Sequence, residues 1–233
     1  MARTVKERII ETAERLFAQR GIAGVSLREI GAAADQRNTR AVQYHFGSKQ
    51  RLIEAILEYR KPAIDAPRVA LLADRERNGR SSDPRALVEA MVYPLTESLK
   101  PGACFVRFIA QAFYDPSHSH VMVSDRTRQD GVPRIAAGMR KALSGLPDAL
   151  LTQRLDFAWR LLVHALAVHE RELETGQQPA VPTAASAAHL VEVLVAMMNA
   201  PAVPLSIRRT VPASRPGSRR VRTAISKRRT ESA

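Results

Sequence analysis

The chain has 233 residues, with 36 lysine and arginine residues against 23 aspartate and glutamate residues, and its formal net charge is +13. Apolar residues make up 45% and charged residues 25%, which is typical of a globular protein and excludes a chain that is disordered throughout. The length permits one large domain or two small ones and excludes a miniprotein that depends on disulfides. The excess of positive charge favours a polyanionic partner.

The positive charge is concentrated at the two ends of the chain. Residues 1–60 contain 11 basic and 7 acidic side chains, residues 61–200 contain 16 and 15, and residues 201–233 contain 9 and 1. The last segment has four prolines and no aromatic residue, so we expect a disordered basic tail. Its charge either adds non-specific attraction to phosphates or belongs to a solvated extension without a role of its own.

Several classes of protein are excluded by what the sequence lacks. Cys104 is the single cysteine, which rules out an internal disulfide and a thiolate zinc site and fits a reducing cytosol. His118 and His120, or His164 and His169, do not share a helical face at i, i+4, so we expect no metal site. No signal peptide, membrane span, nucleophile motif or phosphate-binding glycine loop is recognisable. We therefore expect a cytoplasmic protein that is not an enzyme and has no cofactor.

The first sixty residues carry the signals of four helices. Apolar residues recur with helical spacing from Val5 to Phe17, and Gly21 ends this helix in the manner of a Schellman cap. The sequence Ser26-Leu27-Arg28-Glu29 is a capping box, which predicts a short helix that ends near Ala34. A helix of about two turns is predicted over 38–45, and Gly47-Ser48 precedes a longer one.

The remainder of the chain is also predicted to be helical. Pro62 and Pro67 are expected to interrupt or kink the fourth helix, and the polar segment 78–84 is expected to connect two parts of the molecule. Helices are predicted at roughly 84–99, 102–114, 120–129, 133–144, 148–175 and 184–199, separated by proline and glycine breaks. We therefore predict an all-α protein with domains at 1–60 and 61–200 and the basic tail at 201–233.

Two short helices joined by a tight polar turn, with a third helix before them, form a helix-turn-helix pattern. Helical spacing places Val42 and Phe46 on one side of the second short helix and Arg37, Arg40 and Tyr44 on the other. The apolar side therefore packs inward, and the cationic and aromatic side is free to enter the major groove of DNA.

Individual residues of this motif suit particular contacts with DNA. An arginine pairs well with guanine and the Gln43 amide with adenine, each such pair giving roughly 1–3 kcal/mol of base discrimination. Ser26, Arg28 and Lys49 lie near helix starts or turns, where they would meet phosphate oxygens. His45 either contacts a phosphate or packs beside Phe46. The predicted DNA-binding residues are Ser26, Arg28, Arg37, Asn38, Thr39, Arg40, Gln43, Tyr44, His45 and Lys49.

The stretch from about Arg8 to Leu57 resembles the DNA-binding domain of the TetR family of bacterial transcriptional regulators. The resemblance rests on Ala13, Phe17, Gly21, the Ser26–Ile30 start and the run Tyr44-His45-Phe46-Gly47-Ser48-Lys49. It implies a homodimer that reads a palindromic operator on double-stranded DNA, and an all-helical C-terminal domain that dimerises and binds a small effector. It also implies a phosphate-contacting role for Lys49 and Tyr44.

The chain departs from the family pattern in two places. Ala34-Asp35-Gln36 stands where the family often has Ala-Gly-Val, with one extra residue before the recognition helix, and Gln43 stands where a tyrosine is common. The register of the recognition helix on DNA therefore stays open by about one residue.

Two further sets of residues are predicted in the C-terminal part. An aromatic-rich region suits a pocket for a small hydrophobic effector, although each of its residues also suits an ordinary core. The predicted pocket residues are Phe105, Phe108, Phe113, Trp159 and His164. The last two helices are rich in apolar residues, and in the family they pair across a two-fold axis. The alternative is that they simply close the core of the monomer. The predicted dimer residues are Leu155, Leu162, Leu166, Leu190, Leu194 and Met197.

These observations favour a ligand-responsive dimeric repressor that binds a specific operator. The alternative is a basic protein that coats DNA without sequence preference, in which case affinity is independent of sequence and is abolished by moderate salt.

Overall fold

The computed structural model describes residues 3–34, 41–118, 120–121, 130–176 and 179–202. Within these ranges the chain is helical and contains no strand, in agreement with the predicted all-α class. The helices are α1 (Val5–Arg20), α2 (Leu27–Ala33), α3 (Ala41–Phe46), α4 (Lys49–Arg77), α5 (Pro84–Glu97), α6 (Phe105–Tyr114), α7 (Gly131–Ala142), α8 (Asp148–Glu174) and α9 (Thr183–Met198). Residues 122–129 of the predicted helix at 120–129, and the tail at 203–233, lie outside the described residues.

The first two helices begin at capping boxes. Thr4 caps α1 together with Glu7, and Ser26 caps α2 together with Glu29, as the sequence predicts for the second pair. Gly21 ends α1 with φ of +76°, a conformation that favours glycine. Its ψ of 157° is not that of a left-handed helical residue, so the prediction of a Schellman cap is wrong, although the helix ends at the predicted residue.

Helices α1 to α4 enclose a small apolar core. Its central side chains are Ile9 and Phe17 from α1, Ile30 from α2, Val42 from α3 and Leu52 from α4, all with essentially no exposed surface. Helix α3 packs against both α2 and α4. These contacts hold the short α3, which is too short to be stable by itself, on the outside of the group.

The predicted interruption of α4 by its prolines does not occur. The helix continues from Lys49 to Arg77 through both Pro62 and Pro67 and crosses the predicted domain boundary between residues 60 and 61. Each proline lacks the N–H that would bond to the carbonyl four residues earlier. Burial of apolar side chains on both sides of the prolines, such as Ile56 and Leu72, offsets that loss.

The remaining helices pack around α5. Its buried side chains face α4, α7 and α9, while α6 lies between α1 and α8. Gly138 permits the close approach of α7, because a Cβ atom there would lie 2.8 Å from a Leu87 methyl carbon and from the Ser81 carbonyl oxygen. Because α6 contacts both α1 and α8, it connects the N-terminal helices to the C-terminal ones.

Two buried carboxylates cap the N-termini of helices that are far from them in the sequence. Asp65 of α4 accepts hydrogen bonds from the backbone amides of Asp130 (2.8 Å) and Gly131 (3.3 Å) at the start of α7. Glu170 of α8 accepts from the amides of Val106 (3.2 Å) and Arg107 (2.8 Å) at the start of α6. Neither α6 nor α7 has a side-chain cap of its own, so these distant carboxylates satisfy amides that the helices leave unpaired.

None of the helices in the described parts of the chain combines the length and the apolar character needed to cross a membrane.

Candidate DNA-binding surface

Helix α3 presents one face to the core and the other to solvent. Val42 and Phe46 are buried, whereas Tyr44 is 86% exposed and stands beside the exposed ring of His45, with the two ring centroids 5.3 Å apart. This division is the one that helical spacing predicts. Arg37, Asn38, Thr39 and Arg40 lie outside the described residues, so their roles stay predictions.

Gln43 is exposed but not free. Its side-chain nitrogen donates a hydrogen bond of 2.6 Å to the carbonyl oxygen of Gly47, one turn later. A bidentate pair with adenine needs both the amide nitrogen and the amide oxygen. The amide nitrogen carries two N–H groups, so Gln43 can keep its bond to Gly47 with one of them and donate to the base with the other.

Lys49 also makes a contact inside the protein. The half-buried side chain donates from Nζ to the carbonyl oxygen of Ile22 at 2.9 Å, which ties the start of α4 to the turn between α1 and α2. An ammonium group has three donors, so it can hold this carbonyl and a DNA phosphate together.

The start of α4 is unusually basic for a helix N-terminus. Ser48 caps the helix by accepting from the amide of Arg51 at 3.2 Å, and the first turn contains Lys49 and Arg51 but no acidic residue. Cations are unfavourable at this end of a helix because the helix dipole is positive there. An external anion such as a phosphate would relieve that cost. The sequence analysis did not include Arg51 among the DNA-binding candidates. The feature that would have identified it is a basic residue in the first turn of a long helix.

The start of α2 separates a structural serine from an available arginine. The Ser26 hydroxyl accepts from the amide of Glu29 at 3.2 Å and donates to the Glu29 carboxylate at 2.7 Å, so it has no further proton to donate to a phosphate. Arg28 is exposed and has no hydrogen-bonding or ionic partner among the described residues. Arg28, Tyr44 and Arg51 are all exposed, and they belong to α2, α3 and α4, of which α3 contacts both others.

The Glu29 carboxylate gives this region a pH dependence. Hydrogen bonds from the backbone and side chain of Ser26, followed by one from Arg20, lower the pKa of Glu29 from 4.5 to about 2. The ionised carboxylate therefore stabilises the folded chain above pH 4.5, and this contribution is lost as the pH falls towards 2. We expect the stability difference between the wild type and Glu29→Gln to shrink over that interval in urea titrations. Parallel curves from pH 5 to pH 2.5 would contradict this.

The predicted effector residues lie in different surroundings in the described part of the chain, and the effector pocket itself stays a prediction. Phe105, Phe108, Phe113 and Trp159 are buried, and Phe108 is stacked against Phe17 with ring centroids 6.2 Å apart. His164 is exposed and lies 6.2 Å from the ring of Tyr114, centroid to centroid. Phe105 borders a cleft of about 750 Å³, and His164 borders a separate groove of about 490 Å³.

The predicted dimer residues fall into two groups. Leu155, Leu162, Leu166 and Leu194 are buried within the protomer and pack in its own core, and their role in a dimer stays a prediction. Leu190 and Met197 of α9 are half-buried at the edge of that core.

Both of the last helices carry other apolar side chains that are exposed. Phe157 (51%), Leu161 and Val168 (52%) follow one another along α8, and Val193 (50%) lies on α9. Their spacing places them on the outward faces of these helices.

Ion pairs connect the C-terminal helices to the N-terminal ones through the start of α6. Arg107 of α6 pairs with Glu170 and Glu174 of α8, and Glu174 also accepts from Gln19 of α1 at 3.4 Å. Burial raises the pKa of Glu170, and the hydrogen bonds from the α6 amides and from Arg107 oppose this. Glu174 therefore contacts both α6, through Arg107, and α1, through Gln19.

A second set of hydrogen-bonded polar side chains lies beside the first turn of α6. The fully buried Glu14 of α1 accepts from two nitrogens of Arg60 on α4, at 2.7 Å and 2.9 Å, and from the Cys104 thiol at 3.3 Å. Burial, followed by the negative charge of Glu14, raises the pKa of the Cys104 thiol. The thiol therefore stays protonated and serves as a donor that links α6 to α1.

Two family models match this chain. The model described as bacterial regulatory proteins of the tetR family matches residues 9–56, and the model described as the tetracyclin repressor-like C-terminal domain matches residues 85–197. No curated protein matches the chain.

Solved structures with the same fold include a transcriptional regulator of the TerR/AcrR family from Aquifex aeolicus VF5, with 21% identity, a TM-score of 0.51 and coverage of 82% of this chain and 98% of the other. The TetR-family regulator PfmR from Thermus thermophilus has 18% identity, a TM-score of 0.51 and coverage of 87% and 100%. A TetR-like regulator from Rhodococcus sp. RHA1 has 17% identity, a TM-score of 0.50 and coverage of 85% and 96%.

These structural likenesses show the fold, and the two family matches together span most of the folded part of the chain. The exposed face of α3, the basic start of α4 and the helical C-terminal part agree with them. The chain belongs to the tetR family of bacterial regulatory proteins and is a DNA-binding transcriptional regulator.

Proposed function

We propose that the protein is a homodimeric repressor that binds a palindromic operator on double-stranded DNA and leaves it when a small hydrophobic effector binds. The observation that carries the DNA-binding part is the orientation of α3, with Val42 and Phe46 in the core and Tyr44 exposed. Arg28 and Arg51 flank it from the starts of α2 and α4. The protein acts in the cytoplasm and has no catalytic role in this proposal.

Selection of tight binders from a pool of random duplexes tests this function. A two-fold symmetric consensus with half-site centres about 34–36 Å apart, or a multiple of that spacing, supports a dimeric operator-binding protein. Binding without a consensus that disappears at moderate salt would instead support the non-specific DNA-coating protein, which the nine basic residues of 201–233 favour.

Base reading and phosphate contact are separable by two substitutions. We expect Arg40→Ala to weaken operator binding by about tenfold to a hundredfold while random duplex binding changes little, because a lost base pair contact costs about 1–3 kcal/mol. Arg28→Ala should weaken both equally and reduce the salt slope of log affinity by about 1. Fluorescence anisotropy at several salt concentrations measures both. Equal losses on operator and random duplex for Arg40→Ala would refute its base-reading role.

The proposed effector response is a shift between two arrangements of the N-terminal helices. Helix α6 packs on α8 and on α1, and Arg107 connects it to both through Glu174. An effector that prefers one position of α6 therefore changes the spacing of the two recognition helices and lowers operator affinity.

Dimerisation is proposed to use the outward faces of α8 and α9. Phe157, Leu161, Val168 and Val193 supply exposed apolar surface there, and Leu190 and Met197 adjoin it. A contiguous apolar surface on one face is typical of an association site. This proposal keeps the two predicted helices. It assigns the interface to their exposed side chains and not to the four leucines that are buried in the protomer core.

A further inference from the structure

A cleft of about 750 Å³ opens between α1, α4 and the turn that joins α5 to α6. Its volume is in the range of small-molecule sites. Its lining residue Phe105 contacts the buried ring of Phe108, with ring centroids 6.1 Å apart, and one of its walls belongs to α1, which packs against α2.

Most of the acidic groups in this cleft are already neutralised. The buried Glu14 accepts both bonds from Arg60, and Glu11 pairs with Arg3 at 3.1 Å and accepts from the Tyr59 hydroxyl at 3.1 Å. These carboxylates therefore have little remaining attraction for a cation.

The unpaired charges of the cleft are mainly positive. Arg15 of α1 and Lys100 of the α5–α6 turn are exposed and have no ionic or hydrogen-bonding partner among the described residues, while Glu97 is the one acidic lining residue described without such a partner. Apolar lining comes from Ala63 and Pro101, which are exposed, and from the edges of Ile64 and Phe105, which are largely buried.

We infer that this cleft binds an organic anion, in which a carboxylate or sulfonate lies between Arg15 and Lys100 and an apolar body covers Ile64 and Phe105. Both cations are free to form charge-assisted hydrogen bonds with the anionic group. The two anchors come from different parts of the fold, since Arg15 belongs to α1 and Lys100 to the turn before α6.

A ligand held in this way would fix α1 relative to the α5–α6 turn and so change the presentation of α3. This consequence rests on the proposed function, whereas the binding itself does not. The cleft is thus a second place, besides the interior of the C-terminal helices, where a small molecule acts on DNA binding.

Titration of the full-length protein with 1-anilinonaphthalene-8-sulfonate, followed by its fluorescence, tests the inference. We expect one saturable site per chain. The double variant Arg15→Gln/Lys100→Gln should bind the probe at least about tenfold more weakly, because two charge-assisted hydrogen bonds are lost. The matched control is Arg171→Gln, which removes an arginine from the separate groove of about 490 Å³ and should leave probe affinity unchanged.

A second variant keeps the charges and fills the space. Ala63 is exposed on the α4 wall, so Ala63→Trp should block the probe while thermal unfolding of the variant stays close to that of the wild type. The inference is overturned if the wild type does not bind the probe, if neither cleft variant weakens binding, or if Arg171→Gln weakens it as much as the double variant. Operator selection with the probe-free protein is independent of these results, so a failure here is distinguishable from a failure of the proposed function.

Discussion

Replacing Arg68 by alanine should lower the free energy of unfolding by about 3–5 kcal/mol, because the change leaves a buried carboxylate without its counter-charge. Arg68 is only 2% exposed, and its Nη1 lies 3.0 Å from an Asp65 carboxylate oxygen. Its Nε donates to the Ala90 carbonyl at 3.2 Å, and its guanidinium lies 5.5 Å from the centroid of the Trp159 ring. The removed side chain therefore connects α4 to both α5 and α8.

The loss extends to α7, because Asp65 also holds the first amides of that helix. In thermal unfolding the expected decrease corresponds to roughly 6–20 °C for a protein of this size. The control is Arg77→Ala in the same helix, where Arg77 pairs with Asp74 at 3.1 Å in an exposed position and should contribute less than about 1 kcal/mol. Similar effects of the two substitutions in urea titrations would show that the buried cluster does not stabilise the fold.

Local signals in the sequence predict where the helices begin and end. They do not predict that α4 continues through its two prolines. The capping box at Ser26 and the glycine at 21 define helix ends through contacts within a few residues, so they are readable from the sequence. Pro62 and Pro67 are locally unfavourable inside a helix, and the contacts that keep α4 continuous come from distant helices. Of the two predicted outcomes, an interruption or a kink, the interruption does not occur, because tertiary packing outweighs the local preference.

The same distinction applies to the site residues. Helical spacing alone separates the buried Val42 and Phe46 from the exposed Tyr44. It does not reveal that Gln43 donates to Gly47 or that Lys49 donates to Ile22, because these bonds depend on how the chain turns after α3 and after α1. A polar residue in a recognition motif can thus hold the motif together with one donor and keep another available for DNA.

In α8 and α9 the apolar residues are too numerous for spacing to identify the outward face. Leu155 and Leu162 point into the protomer, while Phe157 and Leu161 lie on the exposed side of the same helix. A helix that packs against its own core and also against a partner has two apolar faces. The sequence alone does not show which of them is buried in the protomer. Only the folded protomer shows which face is buried and which is exposed.

The proposed dimer face leads to the second large effect. We expect the double variant Phe157→Glu/Val193→Glu to be monomeric at micromolar concentration, because four like charges per dimer would be buried in an apolar interface. Operator affinity should fall by a factor of about 100 or more, since the second half-site contact is then no longer intramolecular. Affinity for an isolated half-site should stay unchanged, because α8 and α9 lie outside the N-terminal helices. Sedimentation velocity and anisotropy titrations measure the two quantities.

The control for this variant is Ala63→Glu/Ala137→Glu, which introduces the same two charges per chain at exposed residues of α4 and α7. It should retain the dimer and the affinity of the wild type for the full operator. If the double variant remains dimeric with the dissociation constant of the wild type, the outward faces of α8 and α9 do not form the interface. If it becomes monomeric and still binds the full operator as tightly as the wild type, DNA recognition does not require two linked N-terminal domains. The two results together therefore separate the location of the interface from its role in reading a palindrome.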